Sequence, residues 1–303
     1  MPRALRAESP RPPTALQVLP ALVHVQTHLD DNLSLAALAG HAGQSPFQFH
    51  RRFKGAVGET PKQYVDRLRL EWSAFRLIMH RASITTIALE CGFQNHETYA
   101  RAFRRRFGTT PSAYRDRHRF TTPGAGGREG KRRRLEEQLE GYELSATRVQ
   151  EFAELHLAFI RHLGPYETVT DEYWHRLDQW WRRRRLPGLP IYLGIAHDAP
   201  GITPPDKLRF DAAVRLPGPI DAEPGIGYQT LTPGTAAVTR HVGPYHTLPA
   251  AYGVIFSRLP TLINYRIVGL PCVEVFHTAR VDARHELNQT DICIPVALQR
   301  AVT

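Results

Sequence analysis

The chain has 303 residues, room for two domains of about 150 residues each, and 42% of its residues are hydrophobic, as in ordinary folded proteins. The N-terminus, MPRALRAESPRPPTA, lacks the apolar core of a secretory signal, and no apolar run approaches the roughly 20 residues that span a bilayer. Three widely spaced cysteines, Cys91, Cys272 and Cys293, argue against a disulfide framework or a zinc site. We therefore expect a cytoplasmic protein without a metal, a cofactor or a membrane partner, and a disordered tail over residues 1–15.

The net charge of +10 is concentrated in one half of the chain. Residues 1–140 hold 23 Lys and Arg against 13 Asp and Glu, whereas residues 141–303 hold 16 of each kind. A basic half joined to a neutral half indicates a module that binds a polyanion and a module with another task.

The boundary between the two modules is predicted at residues 120–141. The stretch TTPGAGG cannot maintain a regular element, and the charged residues after it lack a strong apolar period. We expect domains over 16–119 and 142–303. The KRRR run at 131–134 is either part of a solvated linker or an additional contact to DNA.

The first module contains an internal repeat, in which residues of the same chemical type recur at a spacing of 49 and then, after one inserted residue, of 50. The matching pairs are Leu38 and Ile87, Ala39 and Ala88, Gly43 and Gly92, Phe49 and Tyr99, Arg51 and Arg101, Phe53 and Phe103, Gly58 and Gly108, Thr60 and Thr110, Pro61 and Pro111, Tyr64 and Tyr114, and Arg67 and Arg117. Each copy predicts a short helix, a turn at the first glycine and a second helix. Ser45 and Asn95 are suited to begin the two second helices as N-caps.

Between the copies, residues 61–80 predict a single helix of about 20 residues and ~30 Å. Pro61 suits the first turn of such a helix, and no other breaker follows it. Its length approaches one turn of B-DNA, ~34 Å, so the helix can present two recognition helices to successive major grooves. We assign Trp72 and Phe75 to the core of this domain.

The repeat, its central helix and the pattern from Ala88 to Arg115 resemble the DNA-binding domain of the AraC/XylS-type regulators. The pattern reads Ala-x-x-x-Gly-Phe, followed by Phe-x-x-x-Phe-Gly-x-Thr-Pro-x-x-Tyr-Arg. The resemblance implies an all-α N-terminal domain with two helix-turn-helix units joined by a long helix. Double-stranded DNA is the partner that it implies, and RNA polymerase is a further expected partner.

The resemblance also places DNA contacts on the outer faces of the two second helices. The residues expected at base edges are Phe47, Gln48, His50, Arg51, His96, Glu97, Thr98 and Arg101. Arginine can pair bidentately with guanine, glutamine with adenine, and glutamate can accept from cytosine. The residues expected at phosphates are Lys54, Arg67, Arg69, Arg104 and Arg105.

The second module contains a shorter repeat, RHLGPYETV at 161–169 and RHVGPYHTL at 240–248. We predict a strand before each copy, over Val149–Phe159 and Thr235–Thr239, and a helix after each, over Val169–Arg184 and Leu248–Pro260. Pairs of strands follow, at Ile191–Ala196 with Phe210–Val214, and at Cys272–Thr278 with Asp291–Val296. The fold class expected is α+β, with two similar βαββ lobes and a groove between them.

The duplicated Gly-Pro-Tyr and the closing strand pairs resemble the GyrI-like effector-binding domain, which also forms the C-terminus of Rob-type AraC regulators and of multidrug-sensing regulators. The resemblance implies a small-molecule effector. It makes Glu274, within the apolar run PCVEVFHT, a candidate anchor for a cationic ligand. The aromatic residues chosen to enclose a flat or hydrophobic ligand are Trp174, Trp181, Tyr192, Tyr228 and Phe276. The alternative is that Glu274 lies at the surface of an edge strand and that the aromatic residues form a core.

The sequence therefore favours a sequence-specific transcription regulator that responds to a small cationic or hydrophobic effector and is not an enzyme. The alternative is a DNA-binding domain fused to a GyrI-like hydrolase, in which Glu274 acts as a general base. An alkyltransferase fusion is excluded, because Pro271-Cys272 continues as Val273-Glu274 and the activating histidine is missing.

Overall fold

In the computed structural model, the described residues are 14–118, 141–220, 223, 225–259, 265–269, 271–277 and 288–298. The predicted linker at 120–141, apart from its last residue, lies outside these ranges, as does the KRRR run. Residues 1–13 of the predicted tail also lie outside these ranges. Its last two residues belong to the first helix, which begins at Thr14.

The N-terminal domain is helical, as the sequence predicted. Its helices are α1 Thr14–Thr27, α2 Leu35–His41, α3 Pro46–Val57, α4 Pro61–Met79, α5 Ile84–Glu90, α6 His96–Phe107 and α7 Pro111–His118.

The two predicted N-caps are confirmed. The Ser45 hydroxyl accepts from the backbone NH of Gln48 at 3.4 Å, and the Asn95 side chain accepts from that of Thr98 at 2.8 Å. Gly43 and Gly92 have φ values of 62° and 81°, the left-handed conformation that glycine adopts without steric cost. These two glycines let the chain turn sharply from α2 into α3 and from α5 into α6.

The C-terminal domain is sheet-rich, also as predicted. Its strands are β1 Glu143–Leu144, β2 Arg148–Phe152, β3 Leu155–Leu163, β4 Tyr192–Ala196, β5 Arg209–Leu216, β6 Gly227–Leu231, β7 Gly234–Val242, β8 Tyr265–Ile267, β9 Cys272–Phe276 and β10 Gln289–Leu298. They form one antiparallel sheet in the order β1-β7-β10-β9-β4-β5-β3-β6, with β2 paired to β7 and β8 to β10. Two helices, α8 Glu172–Arg184 and α9 Leu248–Arg258, pack on one face of this sheet.

The single strand predicted over Val149–Phe159 is wrong, because the structure has two strands there. The first, β2, pairs with β7, and the second, β3, pairs with β5 and β6. Residues 153–154 interrupt the run, so the chain can leave one end of the sheet and join the other. A run of strand-forming residues fixes the local conformation but not the partner strand.

The two domains contact each other through α1 and α4. From α1, Leu19 and Val23 pack on the sheet face opposite α8 and α9. From α4, Phe75 meets Phe256 of α9 edge-on, with 6.0 Å between ring centroids, and Trp72 packs in the same cluster. Trp72 and Phe75 therefore belong to the junction between the domains as well as to the helical domain.

One buried histidine makes the stability of the sheet domain depend on pH. His241 is 0% exposed, its Nε2 lies 2.7 Å from the hydroxyl of Thr247, and burial lowers its pKa to about 4. The folded pKa is below the unfolded value of about 6.5, so the unfolded chain binds the proton more readily as the pH falls through this window.

We predict that His241→Gln reduces the loss of stability between pH 7.5 and pH 5. At pH 5 the unfolded chain binds a proton that buried His241 does not, which lowers the free energy of unfolding by about 2 kcal/mol, because one pKa unit corresponds to about 1.4 kcal/mol. Urea unfolding at both pH values measures the difference. An equal pH dependence in wild type and variant would contradict the assignment.

Candidate DNA interface and effector site

The outer faces of α3 and α6 carry the residues expected at DNA bases. All of these are exposed except His50, which is half-buried. Phe47, a large apolar residue, is 77% exposed. The inner faces hold the hydrophobic residues, with Phe49 and Phe53 buried on α3 and Tyr99 and Phe103 on α6. Each helix is thus fixed by one side and presents the other side to solvent.

Three of the five residues expected at phosphates, Lys54, Arg104 and Arg105, are exposed on the same two helices. Arg67 is not available in this way, because its side chain is only 10% exposed. Its guanidinium donates to Glu59 at 2.8 Å and to Glu71 at 2.9 Å. A phosphate contact would require Arg67 to leave two carboxylates, so the predicted contact does not fit this arrangement.

Arg69 also departs from the predicted role. Its guanidinium donates to the backbone carbonyl groups of Leu29 and Asp31, each at 2.8 Å, and it lies against Gly92. A Cβ atom at Gly92 would lie 2.7 Å from the Arg69 guanidinium. Arg69 therefore bonds α4 to the segment after α1 and packs against the turn at Gly92, between α5 and α6.

Glu274 lies in the middle of the sheet and not on an edge strand. Its strand, β9, pairs with β4 on one side and β10 on the other. Glu274 is 6% exposed and shares the helix-covered face with Cys272 and Phe276, while Val273 and Val275 point to the opposite face. The carboxylate is thus placed in a largely apolar interior, where it needs a partner.

Two features of the structure accommodate this carboxylate. The hydroxyl of Tyr252, on α9, donates to Glu274 Oε1 at 3.2 Å. Burial and the neighbouring Glu274 raise the pKa of Tyr252 well above its ordinary value, so Tyr252 remains a donor. On β4, Gly194 lies directly opposite Glu274, and a Cβ there would come within 2.8 Å of Glu274 Oε2 and 2.5 Å of Phe210 Cζ.

Aromatic rings surround this position, and four of the five predicted ones are buried in one hydrophobic cluster there. Trp174 on α8 meets Phe276 at 5.4 Å and Tyr192 at 6.4 Å between ring centroids. Trp181 is buried on the same helix, in the cluster that contains these rings. All four are therefore core residues in this conformation of the protein.

Tyr228 lies on β6, four strands from β9 in the order of the sheet. Its ring is partly buried and packs against the hydrophobic cluster that contains Trp174 and Phe276, and its hydroxyl lies 2.8 Å from Nδ1 of His156.

Sequence reasoning missed Gly194, Phe210 and Tyr252. The first two lie on strands far from Glu274 in the chain, and only the pairing of β9 with β4 brings them together. Tyr252 could have been chosen from the sequence, because it lies one helical turn into the helix that follows the second Gly-Pro-Tyr.

A cavity of about 380 Å³ lies between the domains, lined in part by Trp72, Phe75 and Ile202. Within the described ranges, no cluster of His, Cys, Asp and Glu side chains is arranged to hold a metal ion. None of the helices in these ranges combines the length and apolar character needed to cross a bilayer.

Two family profiles match the chain. The GyrI-like small molecule binding domain matches residues 145–297, half of the chain, and a helix-turn-helix domain matches residues 38–117. The chain belongs to the GyrI-like family and carries an AraC-type helix-turn-helix domain. The first profile contains Glu274, Gly194 and Tyr252, and the second contains the outer faces of α3 and α6.

Curated relatives match about a third of the chain. The Right origin-binding protein of Escherichia coli is 37% identical over 94 residues, which are 31% of this chain and 32% of that protein. The Regulatory protein SoxS of Salmonella typhimurium is 31% identical over 102 residues, 33% of this chain and 95% of that protein. The matched part of the chain spans about a third of the length of the Right origin-binding protein.

Solved structures similar to parts of the chain include two of note. The DNA-binding domain of AdpA in complex with a target DNA is 28% identical, with a TM-score of 0.32, and covers 35% of this chain and 93% of that chain. The EcmrR C-terminal domain is 17% identical, with a TM-score of 0.40, and covers 52% of this chain and 99% of that chain.

We predict that Gly194→Ala destabilises the sheet domain by about 1–3 kcal/mol, because the new methyl group overlaps Phe210 and Glu274 in a packed interior. Thermal unfolding measures the change. Gly218→Ala is the matched control, since the space around Gly218 is open. Equal unfolding midpoints for the two variants would show that the Glu274 position is not packed as described.

Proposed function

We propose that this protein is a cytoplasmic, sequence-specific DNA-binding transcription regulator whose C-terminal domain binds a small cationic or hydrophobic effector. The observation that carries the proposal is the combination of two exposed, basic recognition faces with a buried carboxylate set among aromatic rings. RNA polymerase is the expected partner in regulation. The names of the matched relatives, an origin-binding protein and a regulatory protein, support the DNA-binding part.

The proposed DNA contacts follow from exposure and charge. Base edges are read by the exposed residues of α3 and α6, together with the half-buried His50, and phosphates are bound by Lys54, Arg104 and Arg105. Because α4 joins the two units and their outer faces differ in sequence, the binding site should consist of two unlike half-sites about one helical turn apart.

The proposed effector site follows from the arrangement of the sheet. The pairings Arg161–Asp211 and Arg240–Asp291 are equivalent in the two halves, which fits two similar βαββ lobes. Gly194 pairs with the residue after Asp211, and Glu274 pairs with the residue after Asp291. The two are therefore equivalent positions in the two halves, and they also lie opposite each other on β4 and β9. A pseudo-twofold axis between the lobes would therefore pass through this pair, with a carboxylate on one side and, on the other, a glycine whose side-chain space Glu274 and Phe210 occupy.

A single carboxylate at such a position suits one monovalent organic cation. The ligand would displace the Tyr252 hydroxyl from Glu274 and place its apolar groups among Trp174, Phe276 and Tyr192. Aromatic rings attract a cation by their quadrupole, most strongly where water is excluded. Trp181 would support Trp174 from the same helix.

Hydrolysis of an electrophilic compound is the second candidate, because the Tyr252–Glu274 hydrogen bond joins a proton donor to a carboxylate. The matched relatives are named as regulatory and origin-binding proteins, which favours binding without turnover. We therefore propose that the protein is not an enzyme.

We predict that Arg51→Ala and Arg101→Ala each weaken binding to the cognate duplex by about 1–3 kcal/mol, the contribution of a bidentate guanine contact. The duplex is first selected from random DNA with the wild-type protein, and fluorescence anisotropy then measures affinity. Arg176→Ala, an exposed arginine on α8, is the control. Unchanged affinity in both test variants would contradict the proposed base contacts.

We predict that Glu274→Gln weakens binding of tetraphenylphosphonium, a hydrophobic cation, by about tenfold or more, because the buried charge partner is lost. Isothermal titration calorimetry measures the affinity, and triphenylphosphine oxide serves as the neutral comparison. DNA affinity without ligand should stay at the wild-type value. Equal affinity of wild type and variant for the cation would contradict the role of Glu274.

A further inference from the structure

One connection of the sheet domain is bonded to the helix that carries both DNA-reading units. We call residues 197–209, which join β4 to β5 and include the first residue of β5, the docking segment. From it, the Thr203 hydroxyl donates to Glu71 at 3.1 Å and the Arg209 guanidinium donates to the hydroxyl of Tyr64 at 3.0 Å. Both acceptors are buried residues of α4.

The α4 side of this contact reaches both recognition helices. Glu71 accepts from Arg106, near the end of α6, at 3.0 Å and from Arg67 at 2.9 Å. Arg67 in turn donates to Glu59, which directly follows α3 and its glycine cap. Tyr64 packs edge-on against Phe53 of α3, at 5.4 Å between centroids. The docking segment thus touches the residues that fix α3 and α6 to α4.

A third bond extends the contact to the end of α3. Lys207 Nζ lies 3.6 Å from a carboxylate oxygen of Glu59 and donates to the backbone carbonyl of Val57 at 3.4 Å. Lys207 therefore holds the C-terminal end of the first recognition helix directly.

The docking segment also contacts residues that lie beside the proposed effector site. Arg209 forms a buried ion pair with Asp198 at 2.7 Å, and the backbone carbonyl of Asp198 accepts from the Tyr166 hydroxyl at 2.9 Å. The ring of Tyr166 packs on Phe210, at 5.7 Å between centroids. Phe210 follows Arg209 in β5 and touches Gly194, the residue opposite Glu274.

We propose that the docking segment is the element by which the Glu274 site controls DNA binding, with Arg209 and Thr203 as positioning residues for α4 and hence for the two recognition helices. The inference rests on the proposed function. A ligand that moves Phe210 or Tyr166 moves Arg209 and Asp198, and the displacement reaches Tyr64 and Glu71 without an intervening flexible segment. Glu71, Asp198, Thr203 and Arg209 also line the cavity of about 380 Å³ between the domains, so their hydrogen bonds and ion pair, and not dense packing, carry the displacement.

The test compares Tyr64→Phe and Thr203→Val with the wild-type chain. Both changes remove one hydroxyl from the contact and keep the size of the side chain. Tyr114→Phe is the matched control, because Tyr114 is the repeat counterpart of Tyr64 and packs on Phe103 in the second unit. Circular dichroism establishes folding. If Tyr64→Phe fails to fold, Thr203→Val decides the test.

The readout is the ratio of the Kd for the selected duplex without and with saturating tetraphenylphosphonium. Wild type and Tyr114→Phe should show a ratio that differs from 1 by about fivefold or more, the usual size of coupling between two sites. In Tyr64→Phe and Thr203→Val the ratio should approach 1, while the Kd for the cation alone stays the same. An undiminished ratio in both variants would overturn the inference, as would a wild-type ratio of 1 with the cation bound.

A second readout separates this inference from the proposed function. If wild type does not bind the cation, the effector proposal fails for this ligand, and the inference is judged on DNA alone. Inserting one base pair between the half-sites should then cost wild type about tenfold in affinity, since α4 fixes their spacing. A smaller cost in the two variants than in Tyr114→Phe supports the docking segment as the positioning element, and an equal cost overturns it.

Discussion

The buried carboxylate of Glu71 is the constraint on which the arrangement of the molecule depends. It is 5% exposed at the middle of α4, and burial raises its pKa against the opposing effect of Arg67. A buried charge without partners is costly, and removing one partner of a buried ion pair costs about 3–5 kcal/mol. Glu71 therefore requires Arg67, Arg106 and Thr203 together, and these three come from α4, α6 and the sheet domain.

The same principle explains the site in the sheet domain. Glu274 is buried in a mainly apolar layer and satisfied by Tyr252, with Gly194 leaving room beside it. Arg209 is likewise buried; burial opposes its charge, but Asp198 and Tyr64 raise its pKa well above the ordinary arginine value. Buried charges thus mark both the proposed effector site and the junction between the domains. Each of these buried charged residues is bonded to a residue of another element, so a displacement of one element shifts the other.

Local signals allowed much of the helical domain to be predicted. Caps at Ser45 and Asn95 and turns at Gly43 and Gly92 depend on residues within a few positions of one another. The ion pairs of Arg67 were not predictable in this way, because an arginine on a helix has the same sequence pattern whether it faces a phosphate or Glu59 and Glu71. Exposure, which follows from tertiary packing, makes that distinction.

The sheet domain was less predictable, because its site depends on which strands pair. Alternation along β9 places Glu274 on the face opposite Val273 and Val275, but a sequence pattern does not say that both faces are covered or that β4 lies alongside. The contact of Arg209 with Tyr64 joins residues 145 positions apart, and no local pattern signals it.

The most direct test of the central claim, that one chain links DNA reading to a ligand at Glu274, is thermodynamic reciprocity. Calorimetry would measure the affinity for tetraphenylphosphonium of the free protein and of its complex with the selected duplex. Linkage requires the two affinities to differ by the same factor by which the cation changes DNA affinity. We predict such a difference, and equal cation affinities in the presence and absence of DNA would contradict the account.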